Sequence, residues 1–224
     1  MKLFAEKLTS FPDPRLSLDE GIVDLSDDLR VERLLEAYSF GIFPWPHQDL
    51  PTLWYSPERR GVLDFKDFHV PRSLQKTLKQ SSWTCTFNQA FDEVLEACAQ
   101  APRPQQDGTW ITSKLLTAYR AFHRAGYAHS LEVWSGEKLI GGLYGVYVGG
   151  VFGGESMFHR EADASKFGLV KLVEFLKGQG QKFMDIQMVT PLLERFGGKY
   201  IPRGQFLLRL EQAKKSARAV DFKI

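Results

Sequence analysis

The middle of the chain has the pattern of three consecutive strands joined by two short glycine turns. The segments run from His129 to Trp134, from Lys138 to Val148 and from Val151 to Phe158, and Ser135-Gly136 and Gly149-Gly150 separate them. A two-residue period is that of a β-strand, and short glycine turns join neighbouring antiparallel strands. The sequence therefore predicts an antiparallel meander against which the rest of the chain must pack.

Helical patterns surround this meander. Apolar residues recur at helical spacing in residues 31–40, 88–99, 113–125 and 163–177. A further strand is predicted at Lys182–Met188, followed by a short helix through Leu193. This order of elements predicts an α+β fold, a mainly antiparallel sheet flanked by helices, and it resembles the GNAT-type acyltransferase fold.

The N-terminal part has a different character. Prolines interrupt the segments 43–46 and 54–57, so we expect no regular strand pairing there and a loop that displays large aromatic side chains. We therefore predict a small N-terminal domain, residues 1–63, and a larger GNAT-like catalytic domain, residues 64–224.

The charge and the cysteine content restrict the cellular compartment of the protein more than they restrict any reaction it could catalyse. The formal net charge is only +2, from 29 basic and 27 acidic side chains, so the overall charge does not identify a nucleic-acid partner. The two cysteines match neither a zinc spacing nor a disulfide framework, and no apolar run reaches the roughly 18 to 20 residues of a membrane span. We expect a monomer in the cytoplasm, with no export signal and no membrane contact.

Asp185 and Gln187 are the first candidates for a functional site. Alternate residues of a strand point to the same side, which would place a carboxylate beside an amide on an otherwise apolar strand. Burying a carboxylate costs free energy unless it has a partner. Asp185 therefore either accepts structural hydrogen bonds or serves a site, and the pattern alone favours neither.

Glu155 is the second candidate. It follows Gly153 and Gly154 in an apolar strand, where the glycines allow another group to approach the backbone closely. Such a glutamate can bind a cation. The alternative is a bulged strand in which Glu155 pairs with a nearby arginine or lysine.

The tryptophans are candidates for stacking on bases. Trp45, Trp54 and Trp110 could each hold an exposed nucleotide, although packing between domains explains them equally well. His123 and His129 lack metal ligands at suitable spacing, and we predict no metal site. The glycines form no phosphate-binding loop, so we expect no nucleotide cofactor.

Several short segments match the leucyl/phenylalanyl-tRNA protein transferase family in order and spacing. They are LLEAY (34–38), GIFPW (41–45), WYSP (54–57) with Arg60, GTWI (108–111), HSLEVW (129–134), GGLYGV (141–146), Phe152 with GESMF (154–158), ASK (164–166), Asp185 with Gln187, and IPR (201–203). Together they span residues from about 30 to 210, so the chain resembles this family over nearly its whole length.

The resemblance implies transfer of leucine or phenylalanine, with methionine as a third candidate, from aminoacyl-tRNA to proteins that begin with arginine or lysine, which marks them for N-end-rule degradation. An aminoacyl ester is already activated, so attack by an amine needs no cofactor, only positioning and proton management. The partners would be the charged tRNA and the acceptor protein. A proton relay through the 2′-hydroxyl of the terminal adenosine is an alternative to a protein base.

The resemblance also assigns roles to residues. Gln187 and Asp185 would be catalytic, with Gln187 accepting a hydrogen bond from the amine and Asp185 orienting it or taking its proton. Glu155 and Ser156 would bind the acceptor N-terminus. Leu143, Phe152, Leu169 and Met184 would form the aminoacyl pocket, and Trp45, Trp54 and Trp110 would hold the tRNA 3′ end.

The chain departs from the family pattern after the catalytic strand. Ile186 stands where a cysteine is usual, and Thr190, Leu192 and residues 195–198 replace a segment with asparagine, histidine and a Ser-Leu-Gly-Ala turn. An acetyl-CoA-dependent N-acetyltransferase is disfavoured, because residues 159–164 lack the glycines that would cradle a pyrophosphate. A non-catalytic RNA-binding module is the other alternative, and it would not need Asp185 or Gln187.

Overall fold

The computed structural model describes residues 11–17, 20–46, 50–102, 111–217 and 219–223. The strands in chain order are β1 (Ile22–Leu25), β2 (Phe43–Trp45), β3 (Leu53–Tyr55), β4 (Arg59–Asp64), β5 (Thr84–Phe87), β6 (Ala128–Ser135), β7 (Lys138–Val148), β8 (Val151–His159), β9 (Phe183–Gln187) and β10 (Gly198–Pro202). The helices are α1 (Val31–Ser39), α2 (Arg72–Gln80), α3 (Phe91–Gln100), α4 (Ser113–Arg124), α5 (Ala164–Gly178), α6 (Pro191–Glu194) and α7 (Arg203–Ser216), with a short 3₁₀ helix at Pro14–Leu16.

A seven-stranded sheet with the order β10-β4-β9-β8-β7-β6-β5 is the centre of the fold. Its neighbouring strands are antiparallel except for β8 and β9, which run parallel. The predicted meander is confirmed as β6, β7 and β8, in which Leu143 lies opposite both Leu131 and Met157. The α+β class is confirmed, with a small N-terminal region and a larger, mainly antiparallel sheet carrying helices.

Helices cover both faces of the sheet. On one face α1, α3 and α4 bury their apolar sides against β6 and β7, with Tyr144 and Val146 in the interface. On the other face α5 packs against Leu131, Val133 and Leu143. The start of α5 comes so close to β7 that a Cβ added at Gly141 would lie 2.7 Å from the Cβ of Ala164. Glycine at this position sets the distance between helix and sheet.

The N-terminal region contains regular strand pairs, contrary to the loop predicted there. In the small sheet, ordered β1-β3-β2, Pro44 lies opposite Trp54. Pro44 is tolerated because β2 is an edge strand, where the missing N–H need not enter a ladder on its outer side. The aromatic side chains are therefore not all displayed: Trp54 is fully buried, and its indole N–H donates to the carbonyl of Ser26 at 3.0 Å.

The predicted boundary at residue 63 falls within β4, which pairs with β10 on one side and β9 on the other. The division into two domains stays a prediction.

Helix α2 and strand β5 were absent from the sequence-based expectations, because each offers only a few apolar positions. Within the described residues, no helix combines the length and the apolar character needed to cross a bilayer.

The last described residues pack back onto the sheet. Phe222 is 4% exposed and contacts the rings of Phe87, His129 and Phe152. Its carbonyl also accepts a hydrogen bond from the Asn88 side chain at 3.3 Å. The C-terminal segment is therefore part of the hydrophobic core.

Replacing Phe222 with alanine should lower the free energy of unfolding by about 3 to 5 kcal/mol, because a buried ring leaves a cavity that its neighbours cannot fill. Leu208→Ala, at a site 66% exposed, should change stability by no more than about 0.5 kcal/mol. Urea unfolding of both variants tests this. Equal losses in the two variants would show that the C-terminal segment adds nothing to the core.

Candidate active site

A cavity of about 720 Å³ opens where β8 and β9 meet the small sheet. One part of its wall is polar and includes Glu155, Ser156 and Gln187. The remaining wall is mainly apolar and is formed by Phe43, Pro44, Trp45, Leu143, Met157, Leu169, Leu172, Met184, Ile186, Met188, Pro191, Leu192 and Leu193, among others. A mainly apolar pocket with a few convergent polar groups is the usual form of a small-molecule or catalytic site.

A β-bulge directs Glu155 into this cavity. On β7, Tyr144 pairs with Ser156 and the next residue, Gly145, pairs with Gly154, so Glu155 has no partner in the ladder. Of the alternative raised from the sequence, a bulged strand with an arginine or lysine partner, the bulge is present, but no arginine or lysine among the described residues forms an ion pair with Glu155. The Glu155 carboxylate instead accepts hydrogen bonds from Tyr38 at 2.9 Å, Tyr119 at 3.2 Å and the Gln187 amide at 2.9 Å.

Two buried tyrosines form the wall behind Glu155. Tyr38 comes from α1 and Tyr119 from α4, and their hydroxyl oxygens lie 2.5 Å apart. Because each hydroxyl has one proton, a tyrosine that donates to Glu155 can only accept from the other tyrosine. Burial raises the pKa of both phenols well above 10, so both are neutral donors at physiological pH. Burial likewise raises the pKa of Glu155 to about 7, against the hydrogen bond from Tyr38, which lowers it. Glu155 therefore exchanges its proton near neutral pH.

Asp185 is held by a buried arginine. Arg60, 1% exposed, donates from Nε and Nη2 to the two oxygens of the Asp185 carboxylate at 2.8 and 2.6 Å. Its Nη1 donates to the carbonyl of Gly41 at 3.0 Å, and its guanidinium lies 4.5 Å from the ring centre of Phe206. Asp185 also accepts the backbone N–H of Gln187 at 3.0 Å. Both oxygens of Asp185 are thus occupied by hydrogen bonds.

Gln187 reaches the cavity because the backbone leaves the regular strand at this residue. Its φ is +51°, and the ladder with β4 shifts between Gly61 and Val62. A Cβ added at Gly61 would lie 2.8 Å from the backbone of Met188, so glycine makes room for the turned chain. Asp185 and Gln187 are neighbours as predicted, but their side chains bind different partners. The left-handed φ accounts for this departure from strand alternation.

Three of the four residues predicted for the aminoacyl pocket line the cavity: Leu143, Leu169 and Met184. Phe152 is absent from the lining. It lies opposite Met184 in the ladder between β8 and β9 and packs on Phe222, so it supports the pocket floor from behind.

The three predicted tRNA-binding tryptophans differ in position. Trp45 is partly buried and lines the cavity. Trp54 is enclosed beside Phe11, at 5.0 Å between ring centres, and offers no face to a base in this structure. Trp110 lies outside the described residues.

The sequence-based assignment missed the partners that hold the site together, which are Arg60, Tyr38 and Tyr119. Each belongs to an element distant in sequence, so local periodicity carries no signal for the pairing. Besides its place in the family pattern, Arg60 had a further detectable signal: it precedes Gly61-Val62-Leu63, an apolar run. A charge in such a run requires a counter-charge, and Asp185 was the matching isolated carboxylate.

Comparison with known proteins identifies relatives along most of the chain. The family model described as leucyl/phenylalanyl-tRNA protein transferase matches residues 62–211, and the model of that family's N-terminal domain matches residues 27–58. A curated leucyl/phenylalanyl-tRNA–protein transferase of Anaeromyxobacter sp. (strain K) is 48% identical over 204 residues, covering 91% of this chain and 88% of its own.

A second relative with the same description, from Shewanella baltica (strain OS155), is 47% identical over 209 residues, covering 92% of this chain and 88% of its own. Among solved structures, L-PGS from Bacillus licheniformis matches with a TM-score of 0.41 and 13% identity, covering 69% of this chain and 49% of that chain. A match this distant adds nothing to the argument about the site.

Arg60→Met should lower the free energy of unfolding by about 3 to 5 kcal/mol, because it leaves Asp185 as an unpaired buried carboxylate. Combining it with Asp185→Leu should recover part of this loss, since the stranded charge is then removed. Urea unfolding of the wild type, both single variants and the double variant measures the coupling. Strictly additive losses would show that the two side chains do not depend on each other.

The raised pKa of Glu155 predicts a pH effect on stability. An unfolded glutamate titrates near 4.5 and the folded one near 7, so the native state holds the extra proton between these values. Its contribution is fully present below pH 4.5 and is lost as pH rises through 7. Unfolding free energies measured across this window should decline more steeply for the wild type than for Glu155→Gln. Parallel curves would contradict the shifted pKa.

Proposed function

Because the chain belongs to the leucyl/phenylalanyl-tRNA protein transferase family, we propose that the cavity around Glu155 and Gln187 is where an aminoacyl group passes from tRNA to a protein N-terminus. The enzyme is an aminoacyltransferase that uses aminoacyl-tRNA and a protein as substrates. We infer leucine and phenylalanine as the transferred residues. The observation that carries the site assignment is one cavity with an apolar wall and a polar wall containing Glu155 and Gln187.

The apolar wall suits the transferred side chain. Leu143, Leu169 and Met184, with Met157 and Leu172 beside them, offer a pocket without charge. Such a pocket accepts leucine, phenylalanine or methionine, and a single methylene changes its preference by only about 1 to 3 kcal/mol. It would thus favour apolar aminoacyl groups as a class.

The amide of Gln187 suits the attacking amine. A carboxylate can only accept hydrogen bonds, so the NH₂ group of Gln187 must face an ionised Glu155 and its Oε1 is left to accept from another donor. The α-amino group of the acceptor protein, with a pKa of about 7.7 to 8.0, is partly neutral near pH 7. Gln187 Oε1 would orient this amine towards the ester carbonyl.

The transfer forms one bond and breaks one bond. The amine nitrogen bonds to the ester carbon, the bond from that carbon to the ribose oxygen breaks, and the leaving hydroxyl receives a proton that the amine loses. Asp185 is committed to Arg60 and to the backbone of Gln187. We therefore assign Asp185 an orienting role, with the 2′-hydroxyl of the terminal adenosine as the relay that hands the proton over.

Glu155 suits a basic N-terminal residue of the acceptor. With a pKa near 7, it is only partly ionised in the free protein, and an arginine or lysine side chain nearby would draw it into the charged form. Charge-assisted hydrogen bonds are stronger than neutral ones. A neutral N-terminal side chain would leave the glutamate without this partner, which would discriminate against such acceptors.

Trp45 at the cavity and Trp110 are our candidates for contact with the terminal adenosine, with Ser156 beside the acceptor amine. We also propose a GNAT-like arrangement for the larger sheet, in keeping with the layered α+β fold. A monomer in the cytoplasm, where charged tRNA is available, completes the proposal.

A transfer assay tests the function directly. The purified protein is incubated with tRNA carrying labelled phenylalanine or leucine, without ATP or acetyl-CoA, and with model proteins that differ only in an N-terminal Arg, Lys or Ala. We expect acid-stable label in the Arg and Lys proteins. Replacement of Glu155 by Gln should slow transfer to them by about 10- to 100-fold, since a hydrogen bond to a charged group contributes about 1.5 to 3 kcal/mol.

Glu137→Gln is the matched control, because Glu137 is exposed at the turn between β6 and β7 and lies outside the cavity. It should transfer at the wild-type rate. Equal labelling of the Ala protein would exclude Glu155 as the acceptor-selective group. Absence of label from every acceptor would refute the transfer itself.

A further inference from the structure

A second groove, of about 800 Å³, lies at the opposite end of the strands that carry the site. Its wall includes Asp64, the last residue of β4, and Lys182, which immediately precedes β9. The site lies at the other ends of these strands, at Arg60 and Gln187. Phe183 and Gln187 are four positions apart along β9, a length of about 13 Å.

The groove is strongly basic. Five of its ten lining residues are lysine or arginine and one is acidic; the lining consists of Asp64, Phe65, Lys66, Lys177, Gln181, Lys182, Lys199, Ile201, Gln205 and Arg209. Over the whole chain, 29 basic side chains are nearly balanced by 27 acidic ones. The groove therefore carries a local excess of positive charge, although the protein as a whole is almost neutral.

Two of the cations are fixed in place. Arg209 and Lys199 both bind the carboxylate of Asp64, which is 7% exposed, and Lys199 also contacts Asp67 at 2.5 Å. The Arg209 guanidinium lies 4.0 Å from the ring centre of Phe183, which adds a cation–π contact. Burial opposes ionisation of Asp64, but the hydrogen bonds from Arg209 and Lys199 lower its pKa, so the two cations keep their anchor.

The other three cations are available to a partner. Lys66, Lys177 and Lys182 are exposed and form no ion pair within the described residues. Even counting Asp67 with Asp64, the groove holds five cations against two carboxylates. An excess of this kind attracts a polyanion and makes its binding sensitive to salt.

We propose that this groove binds the phosphate backbone of the donor tRNA. The inference rests on the proposed function, which requires a polyanion to deliver its 3′ end to the cavity. Stacked nucleotides advance by about 3.4 Å each, so a length of about 13 Å corresponds to roughly four nucleotides. Lysines that contact phosphates position a nucleic acid without reading its sequence, which fits an enzyme that accepts more than one charged tRNA.

The test reverses charge where folding does not depend on it. Lys182→Glu and the double variant Lys66→Glu/Lys182→Glu alter exposed side chains, and Lys138→Glu at the turn between β6 and β7 is the matched control. Binding of Phe-tRNA is measured over roughly 50 to 300 mM NaCl. We expect the slope of log affinity against log salt to fall by about one for each lysine removed, with no change for the control.

Measuring transfer from two donor substrates distinguishes a failure of the proposed tRNA groove from a failure of the proposed function. The double variant should show a KM for Phe-tRNA raised about tenfold or more and an unchanged rate with 3′-O-phenylalanyl-adenosine, which has no phosphate backbone. An unchanged salt slope for the double variant would overturn the proposal. So would a raised KM for the acceptor protein alone, which would assign the groove to an acidic acceptor. If the wild type used neither donor, the proposed function would fail, and the binding measurement would still decide the groove.

Discussion

The buried pair of Arg60 and Asp185 connects the parts of this protein that must stay in register. Arg60 lies on β4, Asp185 on β9, and the same guanidinium reaches the carbonyl of Gly41 after α1. Taking two charges out of water is costly, and apolar residues of similar volume would often be as stable. The pair is therefore better explained by the positions in which it holds the neighbouring strands than by a gain in the free energy of unfolding. Arg60 holds the Asp185 carboxylate in place, and this carboxylate accepts the backbone N–H of Gln187. The pair thereby holds the left-handed backbone at Gln187, which directs the Gln187 side-chain amide into the cavity.

The second constraint is that two nearby carboxylates have different kinds of bonding partner. Asp185 has a permanent cation, whereas Glu155 is held by neutral donors, two tyrosines and an amide, and its pKa rises to about 7. A carboxylate without a resident cation can respond to one supplied by a substrate. The difference in partners thus separates a residue that maintains geometry from one suited to recognition, although both lie within one connected network.

The sequence predicted the elements whose pattern is local. The meander, α1, α4 and α5 follow from apolar periodicity and glycine turns, and their observed bounds lie within a few residues of the predicted ones. The strands β2 and β3 were missed because nearby prolines were taken to exclude pairing. Pro44 lies in β2, an edge strand, where this rule does not hold, and the central strand β3 contains no proline of its own. Strand β4 was missed because Arg59 and Arg60 conceal an apolar run that lies between β10 and β9. In each case the position in the sheet decided the outcome, and a single chain segment does not reveal that position.

Prediction of the site from the sequence met the same limit. Glu155, Asp185 and Gln187 were recognisable because polar groups on apolar strands need a reason to be there. Their roles depended on contacts across long stretches of sequence, from residue 38 to 155 and from residue 60 to 185. A buried carboxylate implies that a partner exists without saying whether it is a cation or a neutral donor. That choice decides whether the group stays ionised or titrates near neutrality, so here the tertiary contact, and not the residue type, determines the chemistry.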